Sequence, residues 1–257
     1  MSITPQQSFV IDQLQVRVYD NRETMGQAVA SDISNEIIKV LSRQDKVRMI
    51  FAAAPSQNEV LTHLVNDRSI DWSRVEAFHM DEYIGLHPSA PQSFGQFLKE
   101  RIFSKVPIQT VNYMDSKGAI EVECERYGKL ISAAPIDIVC LGIGENGHLA
   151  FNDPPVAQFH DPSIIKAVEL DEICRQQQVN DGCFAVLDEV PTQALTLTIP
   201  TLYAGARLFC TVPSVTKQEA VRRTLYEEIS TACPSTILRQ HPHCTLYLEP
   251  ESYGIKQ

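Results

Sequence analysis

An amide, an imidazole and a carboxylate share one stretch of the chain, LGIGENGHLAFNDPP at residues 141–155, as Asn146, His148 and Asp153. Imidazole titrates near neutral pH, so it can both give and take a proton there once a neighbour fixes its tautomer and orientation. A solitary histidine is more often a hydrogen-bonded structural residue. Asn146 and Asp153 are the partners that weight His148 toward acid–base work. Asp81 is a second candidate, placed after the apolar run VEAFHM (75–80) and followed by a further carboxylate, Glu82. Alone, such an aspartate is ordinarily a cap or turn residue. Lys217 is expected in the first turn of a helix spanning Gln218 to Ile229, the wrong end of the helix dipole for a cation. An ammonium among free helix amides suits a phosphate instead. Ser56 and Gln57 offer further donors in another loop, although serine at a helix start is usually a cap.

Two other patterns carry less. Gly142, Gly144 and Gly147 have the spacing of a dinucleotide fingerprint, but Asn152-Asp153-Pro154-Pro155 would break the helix that must follow it. His79, Asp81 and Glu82, or His241 and His243, resemble fragments of a metal site without a third ligand, so neither a metal nor a cofactor is expected. His63, His87 and His160 carry no readable signal.

The elements that must position these residues are short apolar runs at 47–53, 75–80, 136–143, 208–212 and 245–248. Several are apolar at successive positions, as expected for strands covered on both faces. Ile33, Ile37, Val40 and Leu41 form one helical stripe; Phe94, Phe97, Leu98 and Ile102 form another. This alternation predicts an α/β fold, a doubly wound, mainly parallel sheet with helices on both faces. In such sheets ligands sit beyond the carboxyl ends of the strands. Four of those ends lead into Ala54 to Asn58, Asp81 and Glu82, Glu145 to His148, and Pro213 to Lys217. Residues far apart in sequence are thereby expected to line one pocket.

With 22 basic against 32 acidic residues, the net charge of -10 argues against nucleic acid as the main partner, while a local positive pocket for a small anion remains compatible. The N-terminus lacks the pattern of a secretory signal, and no apolar run is long enough to span a bilayer. Seven cysteines without a C-x-x-C pair fit reduced thiols in a cytoplasmic protein. No repeat, low-complexity block or linker divides the chain, so residues 1–257 are read as a single domain.

The blocks FHMDEYIGL (78–86) with Ser93-Phe94 and GIGENGHLAFN (142–152) closely resemble the glucosamine-6-phosphate deaminase (isomerase) family. Val190-Pro191, Ala194-Leu195-Thr196 and Gln240-His241-Pro242 extend the resemblance over most of the chain. It implies that Asp81 carries a proton between C2 and C1 of the sugar and that His148 is the ring-opening acid/base, with Asn146 and Asp153 as its partners. It also implies a phosphorylated amino-sugar substrate contacted by Lys217, and no electron carrier or metal; Ser56, Gln57, Glu82 and Gly147 are expected to contact that substrate as well. The chain departs from the family in three places. Asp153 stands where glutamate is frequent, Ala53-Ala54-Pro55-Ser56 replaces a glycine-rich phosphate loop, and a common arginine has no clear counterpart in RQQQVNDGCF (175–184). Related 6-phosphogluconolactonases typically show D-E-R, so Tyr83 and Phe151-Asn152 point to the deaminase branch. A lactonase and a sugar-phosphate sensor without turnover are the alternatives; Asp81 together with His148 argues against pure sensing. Homo-oligomer formation is left open.

Overall fold

Alternate side chains of the central apolar runs feed two different cores, which is why those runs are apolar at nearly every position. The computed structural model describes residues 3–254. Residues 1–2 and 255–257, which belong to the expected single domain and in part to the N-terminal reading, lie outside the described residues.

The chain opens with the hairpin β1 (Gln7–Ile11) and β2 (Leu14–Val18), then the long helix α1 (Arg22–Leu41). Asn21 starts α1 through a reciprocal capping box with Thr24. β3 (Val47–Phe51), α2 (Asn58–Asn66), β4 (Val75–His79) and the short β5 (Asp81–Tyr83) follow. Next come α3 (Phe94–Leu98), β6 (Thr110–Asn112), α4 (Ile120–Ser132) and β7 (Ile138–Leu141). Beyond them lie β8 (Ile165–Glu169), α5 (Glu172–Asn180), β9 (Gln193–Leu197) and α6 (Ile199–Tyr203). The last elements are β10 (Arg207–Val212), α7 (Gln218–Tyr226), β11 (Cys244–Leu248) and α8 (Pro250–Tyr253).

The main sheet has the order β1-β2-β11-β10-β7-β3-β4-β6. All its pairings are parallel except the β1–β2 hairpin. In β3, Val47, Met49 and Phe51 pack with α1 and α2, whereas Ile50 joins the core that holds Tyr127 and Ile131 of α4 and Val221 of α7. β7 divides in the same way, Ile138 and Cys140 to one core, Val139 and Leu141 to the other. Helices thus cover both faces, as the alternation predicts. Truncating one of these buried residues to alanine costs on the order of 2–5 kcal/mol. From β3 the chain moves outward to β4 and β6, then returns to place β7 on the opposite side of β3. That reversal opens a crevice at the carboxyl ends of β3 and β7.

Three features differ from the sequence reading. A separate antiparallel sheet, β5-β9-β8, stands beside the main one. The helix expected over Gln218 to Ile229 stops at Tyr226, because Glu227 is extended and the Arg239 guanidinium takes the carbonyls of Leu225 and Glu227. The stripe from Phe94 to Ile102 is α3 continued by a π-turn, Lys99–Phe103, instead of one regular helix.

Candidate active site

The four strand ends singled out by the sequence close around one cavity of about 250 Å³. After β3 come Ala52 to Ser56, after β4 Met80 and Asp81, after β7 Gly142 to Gly144, and after β10 Pro213 and Ser214. His148 and Lys217 complete the part expected from the strand ends and loops, and Phe94, expected only as part of a helical apolar stripe, lines the cavity too. Its volume is at the small end for ligand cavities, suited to a metabolite.

His148 is held by its own loop. Its backbone N–H and its Nδ1–H both donate to Asn146 Oδ1, at 3.0 and 2.9 Å. Asp153 Oδ1 lies 2.8 Å from the same Nδ1 and accepts from Asn146 Nδ2 at 2.9 Å. With Nδ1 protonated by this arrangement, the neutral ring carries its basic lone pair on Nε2. The ring lies flat on Gly144, where an added Cβ would sit 2.1–2.3 Å from its atoms, so only glycine fits there. Burial pushes the Asp153 carboxyl upward, but the charge of His148 and hydrogen bonds from His148 and Asn146 outweigh it and hold Asp153 below its ordinary pKa.

Asp81 arrives by a different route. Its strand β5 pairs with β9, setting Asp81 opposite Thr196. Beneath it, buried His79 accepts from the Met114 N–H at Nε2 (2.9 Å) and donates from Nδ1 to the Asp81 carbonyl (2.8 Å). Both ring nitrogens of His79 are thus occupied, and burial pushes its pKa down. Burial first, and the adjacent Glu82 charge second, push the Asp81 carboxyl well above the usual range. A raised pKa makes this carboxylate a stronger base than an exposed aspartate.

Glu82 does not line this cavity. Its carboxylate accepts from the N–H groups of Tyr83, Phe94 and Gly95 and from Ser93 Oγ at 2.7–3.1 Å. It therefore locks the start of α3 instead of facing a ligand. Gln57 is likewise turned away, buried with its amide toward Ser56 Oγ and the Leu141 carbonyl. Gly147 shapes the loop: its φ is +86°, and a Cβ there would meet Cys233 Sγ at 2.5 Å. Ser56 and Lys217 do line the cavity, whereas Asn146 and Asp153 stand behind His148.

The sequence reading missed Arg22 and the face of α5 that carries Gln177 and Gln178, with Asp181 just beyond the helix, all of which line the cavity. Arg175 points elsewhere, donating to the carbonyls of Leu187 and Val190. Lys217 Nζ is buried with no hydrogen-bond partner among the described residues. Burial pushes its pKa down against the attraction of Asp181 and Glu145. Ala150 (φ 51°) and Ser214 (φ 87°), two non-glycine residues with left-handed φ, also border the cavity. Such strain, about 1–3 kcal/mol per residue, concentrates at functional sites. Ser214 is held there by its N–H bond to Glu249 Oε1, 2.9 Å.

The histidines that looked like metal fragments have other occupations: His241 accepts from the His243 N–H and donates to the Gly205 carbonyl. A different trio, His148, Asp153 and Cys174, brings donor atoms within 4.8 Å of one another. Two of the three already hydrogen-bond each other.

The family model described as glucosamine-6-phosphate isomerases/6-phosphogluconolactonase matches residues 20–247. A glucosamine-6-phosphate deaminase of Bacillus cytotoxicus is 35% identical over 193 residues, 74% of this chain and 71% of that protein. One from Bacillus cereus is 34% identical over 187 residues, covering 72% and 70%. Among solved structures, a monomeric glucosamine-6-phosphate deaminase has a TM-score of 0.86 at 26% identity, over 94% of this chain and 99% of its own. A 6-phosphogluconolactonase from Thermotoga maritima shares the fold, with a TM-score of 0.75 at 20% identity over 92% and 99%. The match along most of the chain, together with relatives more than a third identical, places this protein in the glucosamine-6-phosphate isomerase/6-phosphogluconolactonase family.

Proposed function

We propose that the chain is an isomerising deaminase, converting glucosamine 6-phosphate and water into fructose 6-phosphate and ammonia. The observation that carries this reading is the convergence of Asp81 and His148 on one cavity that also holds the unpartnered ammonium of Lys217. His148 Nε2 takes the proton of the C1 hydroxyl and hands it to the ring oxygen as the bond between C1 and that oxygen breaks, which opens the pyranose. Asp81 then removes the proton from C2 while a proton of the 2-ammonium group passes to the aldehyde oxygen. The resulting enolamine takes a proton back at C1, and one carboxylate serves both carbons because they are adjacent. This leaves a ketiminium at C2. Water adds to that carbon and ammonia departs, leaving the ketone.

Asn146 and Asp153 keep Nδ1 protonated so that Nε2 stays available to the ring oxygen. Lys217 neutralises the phosphate, aided by Ser56. The seven free thiols suit a cytoplasmic setting, and no helix among the described residues is long and apolar enough to cross a membrane. The test is to incubate the purified protein with amino-sugar 6-phosphates and sugar-acid lactones, assaying ketose and ammonia separately. Equal yields of both are expected. Lactone hydrolysis alone, or binding without turnover, would replace this reading.

A further inference from the structure

The carboxylate behind His148 is only half satisfied. Asp153 is 1% exposed, its Oδ1 takes donors from both Asn146 and His148, and its Oδ2 is buried without a hydrogen-bond partner. An unmatched buried carboxylate oxygen is costly. Beside Asp153 stands Cys174 Sγ, itself 1% exposed and within 4.8 Å of a ring nitrogen of His148 and a carboxylate oxygen of Asp153. A thiol is a weak donor.

We propose that Cys174 is a positioning residue whose thiol turns its proton onto Asp153 Oδ2 and so fixes the carboxylate against His148. Burial, reinforced by the Asp153 charge, pushes the Cys174 pKa well up, which keeps the proton on sulfur where it can be donated. The placement reaches further than the pair. Cys174, Gln177, Gln178 and Asp181 follow one another at i, i+3, i+4 and i+7, a single helical face. The last three of them line the cavity. Gln177 Oε1 also accepts from the Glu145 N–H at 2.8 Å, tying α5 to the histidine loop a second time. The same helix therefore borders the substrate and braces the acid–base pair from behind. This inference rests on the role given to His148 and Asp153 above, so its test needs a readout that does not depend on turnover.

That readout is the titration of the Asp153 carboxyl carbon by NMR in the intact protein, wild type against Cys174→Ala and Cys174→Ser. The alanine should raise the Asp153 midpoint, and the serine, which keeps a donor, should restore it. With glucosamine 6-phosphate, the alanine should lower kcat by about tenfold, the loss of one hydrogen bond, and the serine should recover most of that loss. If the alanine variant does not fold, Cys174→Val fills the volume without a donor and takes its place. An Asp153 midpoint that stays put when the thiol is removed overturns the proposal, whatever the activity does. A raised midpoint in a protein that releases no ammonia supports the brace while sinking the deaminase reading.

Discussion

The two ends of the cavity are built on opposite principles. His148 is surrounded by protein partners: Asn146 fixes it from two directions, Asp153 pairs with Nδ1, and Gly144 leaves room for the ring. Lys217 has a buried ammonium with no hydrogen-bond partner at all among the described residues. A group that must hold one geometry while protons move is satisfied by the fold, whereas a group that awaits a ligand's charge is left unsatisfied until the ligand arrives. Asp81 combines the two, its backbone tethered by His79 and its carboxylate desolvated beside Glu82.

If this division holds, damage at the acid–base end should fall on kcat. The largest effect is expected for Asp81→Asn, which keeps shape but cannot accept a proton. A loss of kcat of about 100-fold to 10,000-fold, with KM nearly unchanged, is the expected result of steady-state kinetics. Near-native incorporation of solvent hydrogen at C1 of the product would assign the base to another residue.

His148→Gln should come next, with a loss of about 100-fold on the closed-ring substrate and little loss on a trapped open-chain analogue. Asp153→Asn should show a smaller loss with the same selectivity, because it weakens support of the imidazole without removing it. Equal losses on both substrates would place His148 in the later chemistry or in holding the loop.

At the other end, Lys217→Met should raise KM by about 10-fold to 100-fold, the value of one charge-assisted contact, with kcat changed far less. Inorganic phosphate should raise the thermal midpoint of the wild type and not of the variant, since only a protein that binds the anion gains from it. Equal stabilisation of both would move the anion seat to Arg22 or to the loop around Ser56.

The same contrast explains what the sequence disclosed. β3, β4, β7, β10 and β11 were legible because burial on both faces makes them largely apolar, while β5 has only three residues and β8 (IKAVE) and β9 (QALTL) mix polar with apolar residues and show no continuous apolar run. Asp81 and His148 were legible because few residue types do acid–base chemistry and both sit at strand ends. Glu82 and Gln57 have the right chemistry in the right neighbourhood, yet one caps α3 and the other faces inward, a distinction only side-chain direction reveals. Gln177, Gln178 and Cys174 were hidden for the converse reason: neutral amides and a thiol on a helix look like any other helical face until it is known which way that face points.

The smallest expected effect concerns stability, and it asks whether Asp81 belongs with the unsatisfied end. Burial and the Glu82 charge raise its pKa in the folded chain above the unfolded value of about 3.9. A group raised in this way contributes stability that is full below the unfolded pKa and is lost as pH rises through the folded one. Above the folded pKa the wild type has lost that contribution, because it then holds a desolvated charge beside another carboxylate. Asp81→Asn carries no such charge. The variant that loses the most activity should therefore be the more stable protein at pH 7–8, by on the order of 1 kcal/mol, or about 2–4 °C in the thermal midpoint of a chain this long. The gap should narrow as the pH falls and Asp81 takes up its proton. Thermal unfolding of both proteins across pH 5 to 8 measures it. A constant gap, or a less stable asparagine variant at pH 8, would mean that the fold already compensates the Asp81 charge and that this residue belongs with His148, on the satisfied side of the cavity.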